Sequence, residues 1–176
     1  MVTHIYNLRH GLISESAVSF CTIMDYFGMH LTGRKTPLVH ASNAASFSLF
    51  DGRRMCFETE KLKEIGVEEK WLPKVCTEIE ELGTYRNCTV TTAIGDNQAS
   101  FLGAVGNEDN TLLVNMGTGG QISVLSDQYF AENGIEARPF LNGKYVTCRS
   151  IPMRWKSICA VGKLLQKICK RSNGTG

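Results

Sequence analysis

The stretch from Cys88 to Leu125 constrains the fold more than any other part of this chain. Cys88 to Ile94 is rich in Thr and Val and carries no charge, the composition of a strand with buried neighbours. It runs into Gly95-Asp96-Asn97-Gln98 and then Ala99 to Val105, small apolar residues suited to a short helix packed closely on a sheet. Asp96 is thereby placed at a strand end and a helix start, where backbone N–H groups and the helix dipole hold an aspartate. A simple helix cap is the plainest reading of such a residue. Leu112 to Met116, Gly117-Thr118-Gly119-Gly120 and Gln121 to Leu125 follow, two apolar strands joined by a loop that is nearly all glycine. Such a loop brings backbone N–H groups against a phosphate, with the Thr118 hydroxyl as a further donor. Most glycine-rich hairpins are only turns. What points to phosphate chemistry is the ordered combination of an Asp-bearing strand end and a strand–GTGG–strand unit.

Upstream, Val18, Phe20, Cys21, Met24, Phe27, Gly28 and Leu31 recur at three- and four-residue steps, which predicts a helix over Ser16 to Leu31 with that face buried and Gly33 at its end. Ala44 to Phe50 alternates loosely, Asp51-Gly52 is a turn pair and Met55 to Phe57 follows, which predicts a hairpin. A helix opening at Glu58 or Thr59 sets Leu62 and Ile65 on one face and closes at Gly66. Pro73 holds the connection after Trp71-Leu72 extended. His40 reads as an ordinary, partly exposed histidine in a strand and is assigned no role.

With 43% hydrophobic and 20% charged residues the chain is not a disordered tail. No run approaches the ~20 consecutive apolar residues that cross a bilayer, and MVTHIYNLRH lacks the order of a secretory signal, so the expectation is a soluble, cytoplasmic protein. Seven cysteines without a Cys-x-x-Cys pair or a Cys/His set at zinc spacing read as reduced thiols with no metal site. The net charge of +2 hides a break. Residues 1–145 hold 12 Lys+Arg against all 17 Asp+Glu, whereas 146–176 hold 7 Lys+Arg and no acid. There Ile158, Val161, Leu164, Leu165 and Ile168 fall on one helical face with Lys156, Lys163, Lys167 and Lys170 elsewhere, a pattern able to bind nucleic acid or anionic membrane.

Five motifs, in order, resemble the FGGY family of carbohydrate kinases: TIMDYFGMHLTG (22–33), HASNAASFSLFDG (40–52), ETEKLKEIGVEEKWLPKV (58–75), AIGDNQASFLGAV (93–105) and VNMGTGGQISVL (114–125). EARPFLNGKY (136–145) also fits, and the spacing is most similar to sedoheptulokinase-type members, with xylulokinase-type members next. The resemblance implies an α/β chain with part of the actin-like, ribonuclease-H-like ATPase fold: an internal fragment with the end of the first domain (1–87) and the start of the second (88–145). It implies ATP-dependent phosphorylation of a ketose such as sedoheptulose or xylulose, with Mg2+. Asp96 would be the catalytic base, Asn97 and Gln98 would hold sugar hydroxyls, and Gly117, Thr118, Gly119 and Gly120 would face the ATP phosphates.

The departures are as informative. Family members are more than twice as long, and the Asp-x-Gly-Thr-like strand pair of their first domain has no counterpart, so little activity is expected of this chain, and self-association through exposed sheet edges is expected with it. His40 stands where relatives often carry an acid. The likeness stops after Tyr145, and a one-nucleotide change of frame there allows LLVGASLCGGKAYALLENFFRRYAK, which resembles the family's continuation. Residues 146–176 are therefore expected to be an out-of-frame basic tail; the alternative takes them at face value, as a module that binds nucleic acid or anionic membrane.

Overall fold

The computed structural model describes residues 2–105, 111–116 and 119–151. Helix α1 (Val2–Arg9) lays Ile5 and Leu8 on the first of two main hydrophobic clusters. Helix α2 (Ile23–Thr32) starts seven residues later than its apolar period predicts, because Thr22 caps it: the Thr22 hydroxyl accepts from the Asp25 N–H while Asp25 reaches back to the Thr22 N–H, a capping box. Gly33 ends it at φ 70° as expected. The predicted buried face holds only in part: Gly28 is buried as expected and Phe20, Cys21 and Leu31 are partly buried, but Val18, Met24 and Phe27 are exposed. Asp25 and Gly28 are the buried positions, while Met24 and Phe27 are 45% and 61% exposed. The reason is close approach, since a Cβ at Gly28 would sit 3.0 Å from Leu82; only a glycine face lets the helix come this near.

Strand β1 (Leu38–His40) passes directly into the short helix α3 (Ala41–Ala44) and one 3-10 turn (Ala45–Phe47), where the sequence suggested a strand. His40 is fully buried, not partly exposed, and its ring accepts from the Ser42 N–H to start α3. The expected hairpin exists in shortened form as β2 (Phe50–Asp51) and β3 (Cys56–Phe57), with Phe50 opposite Phe57. Helix α4 (Thr59–Glu64) buries Leu62 completely, and Leu72 is extended at ψ 134° ahead of Pro73. Strand β4 (Lys74–Cys76) pairs in parallel with β1. Val39, Ala44, Phe57, Leu62 and Val67 form the first cluster.

Strands β5 (Glu81–Tyr85) and β6 (Cys88–Thr91) make a hairpin whose two loop residues, Arg86 and Asn87, both have positive φ, the twist that matches antiparallel strands. Strand β6 is mostly exposed, against the expectation of buried neighbours. Helix α5 (Asp96–Val105) follows, then a four-stranded antiparallel sheet of β7 (Leu112–Met116), β8 (Gly120–Ser126), β9 (Glu136–Pro139) and β10 (Tyr145–Ile151), in the order β7-β8-β10-β9. The β7–β8 hairpin is the expected one, with Met116 opposite Gly120. Strand β10 lies between β8 and β9 with Val146 and Cys148 buried, so residues 146–151, counted with the basic tail, are part of the sheet: their alternating apolar side chains have a core to enter. Phe101, Phe140, Leu141 and Val146 form the second cluster, with the Phe101 and Phe140 rings edge to face at 5.9 Å. Residues 152–176, with the proposed amphipathic helix, lie outside the described residues.

Candidate active site

A cavity of about 750 Å³ opens between elements of the two clusters. Ser42 and Asn43 of α3, Gly95, Asp96 and Gln98 at the start of α5, and Arg138 and Pro139 of β9 line it. Phe50, Gly52 and Tyr129 stand at its rim, where a Cβ on Gly52 would lie 2.8 Å from the Tyr129 ring. The Arg53 guanidinium stacks over Tyr129 at 5.2 Å, and Tyr145 meets the ring edge-on at 5.4 Å.

Asp96 is not the helix cap. Gly95 fills that position, since its carbonyl receives the first helical bond, from the Ala99 N–H at 2.8 Å. Asp96 is instead the first helical residue, exposed at the cavity, and its Oδ1 accepts from the Asn97 N–H at 2.7 Å. The Gly95 N–H donates to the Ser42 hydroxyl at 2.9 Å, and the Asn43 amide donates to the Ala93 carbonyl at 3.0 Å. Both ends of the turn that presents Asp96 are thus tied to α3. Across the cavity Arg138 binds Glu136 through Nη2 at 2.7 Å and Nε at 3.2 Å. Burial works against the charge on Arg138, but the Glu136 bond and the nearby carboxylates, Asp96 included, outweigh it and raise its pKa above the ordinary value.

The other residues singled out in the sequence divide. Gln98 is 4% exposed and lines the cavity, with its Nε2 donating to the Pro139 carbonyl at 3.1 Å. Asn97 turns the other way and donates to Gln121 Oε1 on β8 at 3.0 Å. Gly119 faces open space at the β7–β8 turn and Gly120 is buried beside it; Gly117 and Thr118 lie outside the described residues. Ser42, Asn43, Arg138 and Tyr129 carried no assignment from the sequence. Ser42 and Asn43 precede the alternating stretch from Ala44 to Phe50 and gave no signal of their own, and Arg138 and Tyr129 reach the cavity only through the tertiary fold.

Asp25 is 2% exposed, and its Oδ2 accepts from the Thr22 hydroxyl at 2.5 Å and the Thr22 N–H at 3.3 Å. Burial raises its pKa, against the pull of those bonds. Burial likewise pushes the Cys76 thiol up to about 11. The five described cysteines are unbonded, and among the described residues no three His, Cys, Asp or Glu side chains converge to hold a metal ion. Among them, too, no helix is long and apolar enough to cross a membrane.

No family model matches the chain. An uncharacterized sugar kinase of Archaeoglobus fulgidus is 33% identical over 114 residues, which are 65% of this chain and 21% of that protein. Among solved structures, a xylulose kinase from Rhodospirillum rubrum superposes with a TM-score of 0.73 at 18% identity over 94% of this chain and 36% of its own. The kinase from Brucella ovis, described as a xyloylose kinase, gives 0.72 at 22% identity over 93% and 35%. The neighbours are kinases of the FGGY family, as the sequence motifs led us to expect, and the chain has part of their actin-like ATPase fold. It spans about a third of the length of these solved kinases.

Proposed function

We propose that this chain carries one side of a sugar kinase active site, for ATP-dependent phosphorylation of a ketose hydroxyl, with xylulose and sedoheptulose as the candidate substrates. The observation that carries the reading is the placement of Asp96: an exposed carboxylate lining a cavity large enough to admit a sugar, at the first turn of the helix that follows β6 and close in sequence to the glycine hairpin. In that role Asp96 accepts the proton of the attacking hydroxyl, a contribution worth about 10²–10⁴ in rate. Gln98 offers its remaining carbonyl oxygen to the sugar. For Asn97, bonded to Gln121, we propose the lesser task of tying the helix start to β8.

ATP supplies the phosphoryl group and Mg2+ neutralises its charge. Mg2+ carried mainly by phosphates needs only one or two carboxylates; Asp96 and Glu136 border the cavity, Glu136 already paired with Arg138, so the phosphates would be its main ligands. The open backbone at Gly119 would meet the phosphates, and Gly117, Thr118 and Gly120 are proposed for the same role. We place the boundary between the two domains at 87/88. Catalysis of this kind is mostly positioning, and the chain matches about a third of its structural neighbours, so the expected turnover of the chain alone is low.

The test is ADP release by the purified chain with xylulose or sedoheptulose, against Asp96→Asn. A weak sugar-dependent signal that Asp96→Asn removes supports the reading. A signal that Asp96→Asn leaves unchanged takes the base role away from Asp96.

A further inference from the structure

His40 is completely buried at the end of β1. Its Nε2 lies 3.0 Å from the Thr77 carbonyl oxygen. A carbonyl only accepts, so Nε2 carries the proton and Nδ1 is left as an acceptor. Two donors reach Nδ1: the Ser42 N–H at 3.1 Å and the Ser42 hydroxyl at 2.8 Å. Having given its proton to the ring, the hydroxyl presents lone pairs, and one receives the Gly95 N–H at 2.9 Å. The direction of every bond from Gly95 through Ser42 and His40 to Thr77 is thus set by an amide at one end and a carbonyl at the other.

We propose that His40 and Ser42 are positioning residues, a buried relay that fixes the Gly95 turn and so aims the Asp96 carboxylate into the cavity. The inference rests on the reading of Asp96 as the base. Its physical ground is that Asp96 is exposed and its hydrogen bond goes to the adjacent Asn97 N–H, so its direction is inherited from the backbone at 95–97. That backbone is held by the Ser42 hydroxyl, with Asn43 on the Ala93 carbonyl as the second tie.

Protonation of His40 breaks the relay's order. Nδ1 becomes a donor, the Ser42 N–H loses its acceptor, and the hydroxyl must turn. The charged groups acting on the ring are Glu78, just past β4, and Asp25 from α2; Cys76, the register partner of His40 in β4, turns its thiol to the Val39 carbonyl. The two carboxylates favour the charged ring, and burial, the larger influence, opposes it.

The experiment is NMR on the isotope-labelled 176-residue chain. The ring nitrogens of His40 are expected to report the Nε2–H tautomer. Ser42→Ala is expected to speed Gly95 amide exchange about tenfold, the loss of one hydrogen bond, and to move the Asp96 carboxyl carbon; Ser42→Thr is expected to restore both. The Nδ1–H tautomer, or Gly95 and Asp96 signals indifferent to Ser42→Ala, would overturn the relay. Should Ser42→Ala not fold, the wild-type chain decides: the Gly95 amide must shift with the same midpoint as the His40 ring, and independent titration overturns the proposal. None of these readings needs sugar or nucleotide. An intact relay beside an Asp96→Asn variant with unchanged turnover would therefore overturn the base assignment, and with it the purpose we give the relay, while its hydrogen-bond order stood.

Discussion

Replacing Gly95 with alanine should destabilise the chain through one side chain, Gln98. A Cβ on Gly95 would lie 2.5 Å from Gln98 Oε1, closer than real atoms approach, and 3.3 Å from its Cδ. A free glutamine would swing aside, but this one is 4% exposed and bonded to the Pro139 carbonyl at 3.1 Å. Moving it strands a buried acceptor, which costs about 1–3 kcal/mol. Against this, alanine narrows the unfolded ensemble and returns about 0.4–1 kcal/mol. The net expectation is a loss of about 1–2 kcal/mol from the difference of these two terms. Urea unfolding of four proteins, followed by circular dichroism, isolates the cause: wild type, Gly95→Ala, Gln98→Ala and the double variant. With Gln98 already shortened the clash is gone, so Gly95→Ala should become neutral or slightly stabilising. That difference is a coupling of about 1–3 kcal/mol, in the range of residues in contact. An equal loss in both backgrounds would refute the reasoning and put the strain in the backbone.

Leu62→Ala, at a fully buried position of the first cluster, should cost about 2–5 kcal/mol, read from the same unfolding curves; a loss under about 1 kcal/mol would mean that the cluster is loosely packed. The apolar face of α2, with Ile23 at 78% and Phe27 at 61% exposure, should drive self-association, which sedimentation velocity will show falling with Phe27→Glu if that face is responsible. The pH dependence follows from His40. Burial lowers its pKa below the ordinary 6.5, so as pH falls from 6.5 the unfolded chain takes up a proton that the native chain refuses. Stability should therefore drop with acidification through that window, and His40→Gln should flatten this part of the profile.

The readable parts of the sequence were those where local chemistry and tertiary need agree. The β7–β8 hairpin shows itself because two apolar runs flank a glycine loop, and α4 because Leu62 and Gly66 mark its face and its end. Helix α2 misled in part: Gly28 of its predicted face packs against Leu82, but Met24 and Phe27 of the same face are left exposed and the buried Asp25 had no apolar signal. Helix α3 went unread because its cap is a histidine, outside the usual set of capping residues. Strands β9 and β10 did have a signal. Asn142 and Gly143 both take positive φ, at 56° and 68°, and Asn-Gly between apolar runs is the strongest short-range sign of a hairpin. Missing it put the start of the tail six residues inside the sheet. For the candidate site, Asp96 was found from its place between strand and helix. Ser42 and Arg138 were not, because they reach it only through β1–α3 and β9.

The most direct test of the account is a ligand titration of the labelled chain followed by amide NMR, with xylulose, sedoheptulose and Mg·ADP added separately. The account predicts that one or both sugars move the signals of Gly95, Asp96 and Gln98, that Asp96→Asn weakens the response, and that Mg·ADP moves Gly119 and Gly120 instead. Sugar-induced shifts confined to residues away from the cavity, or a response that Asp96→Asn leaves unchanged, would contradict it.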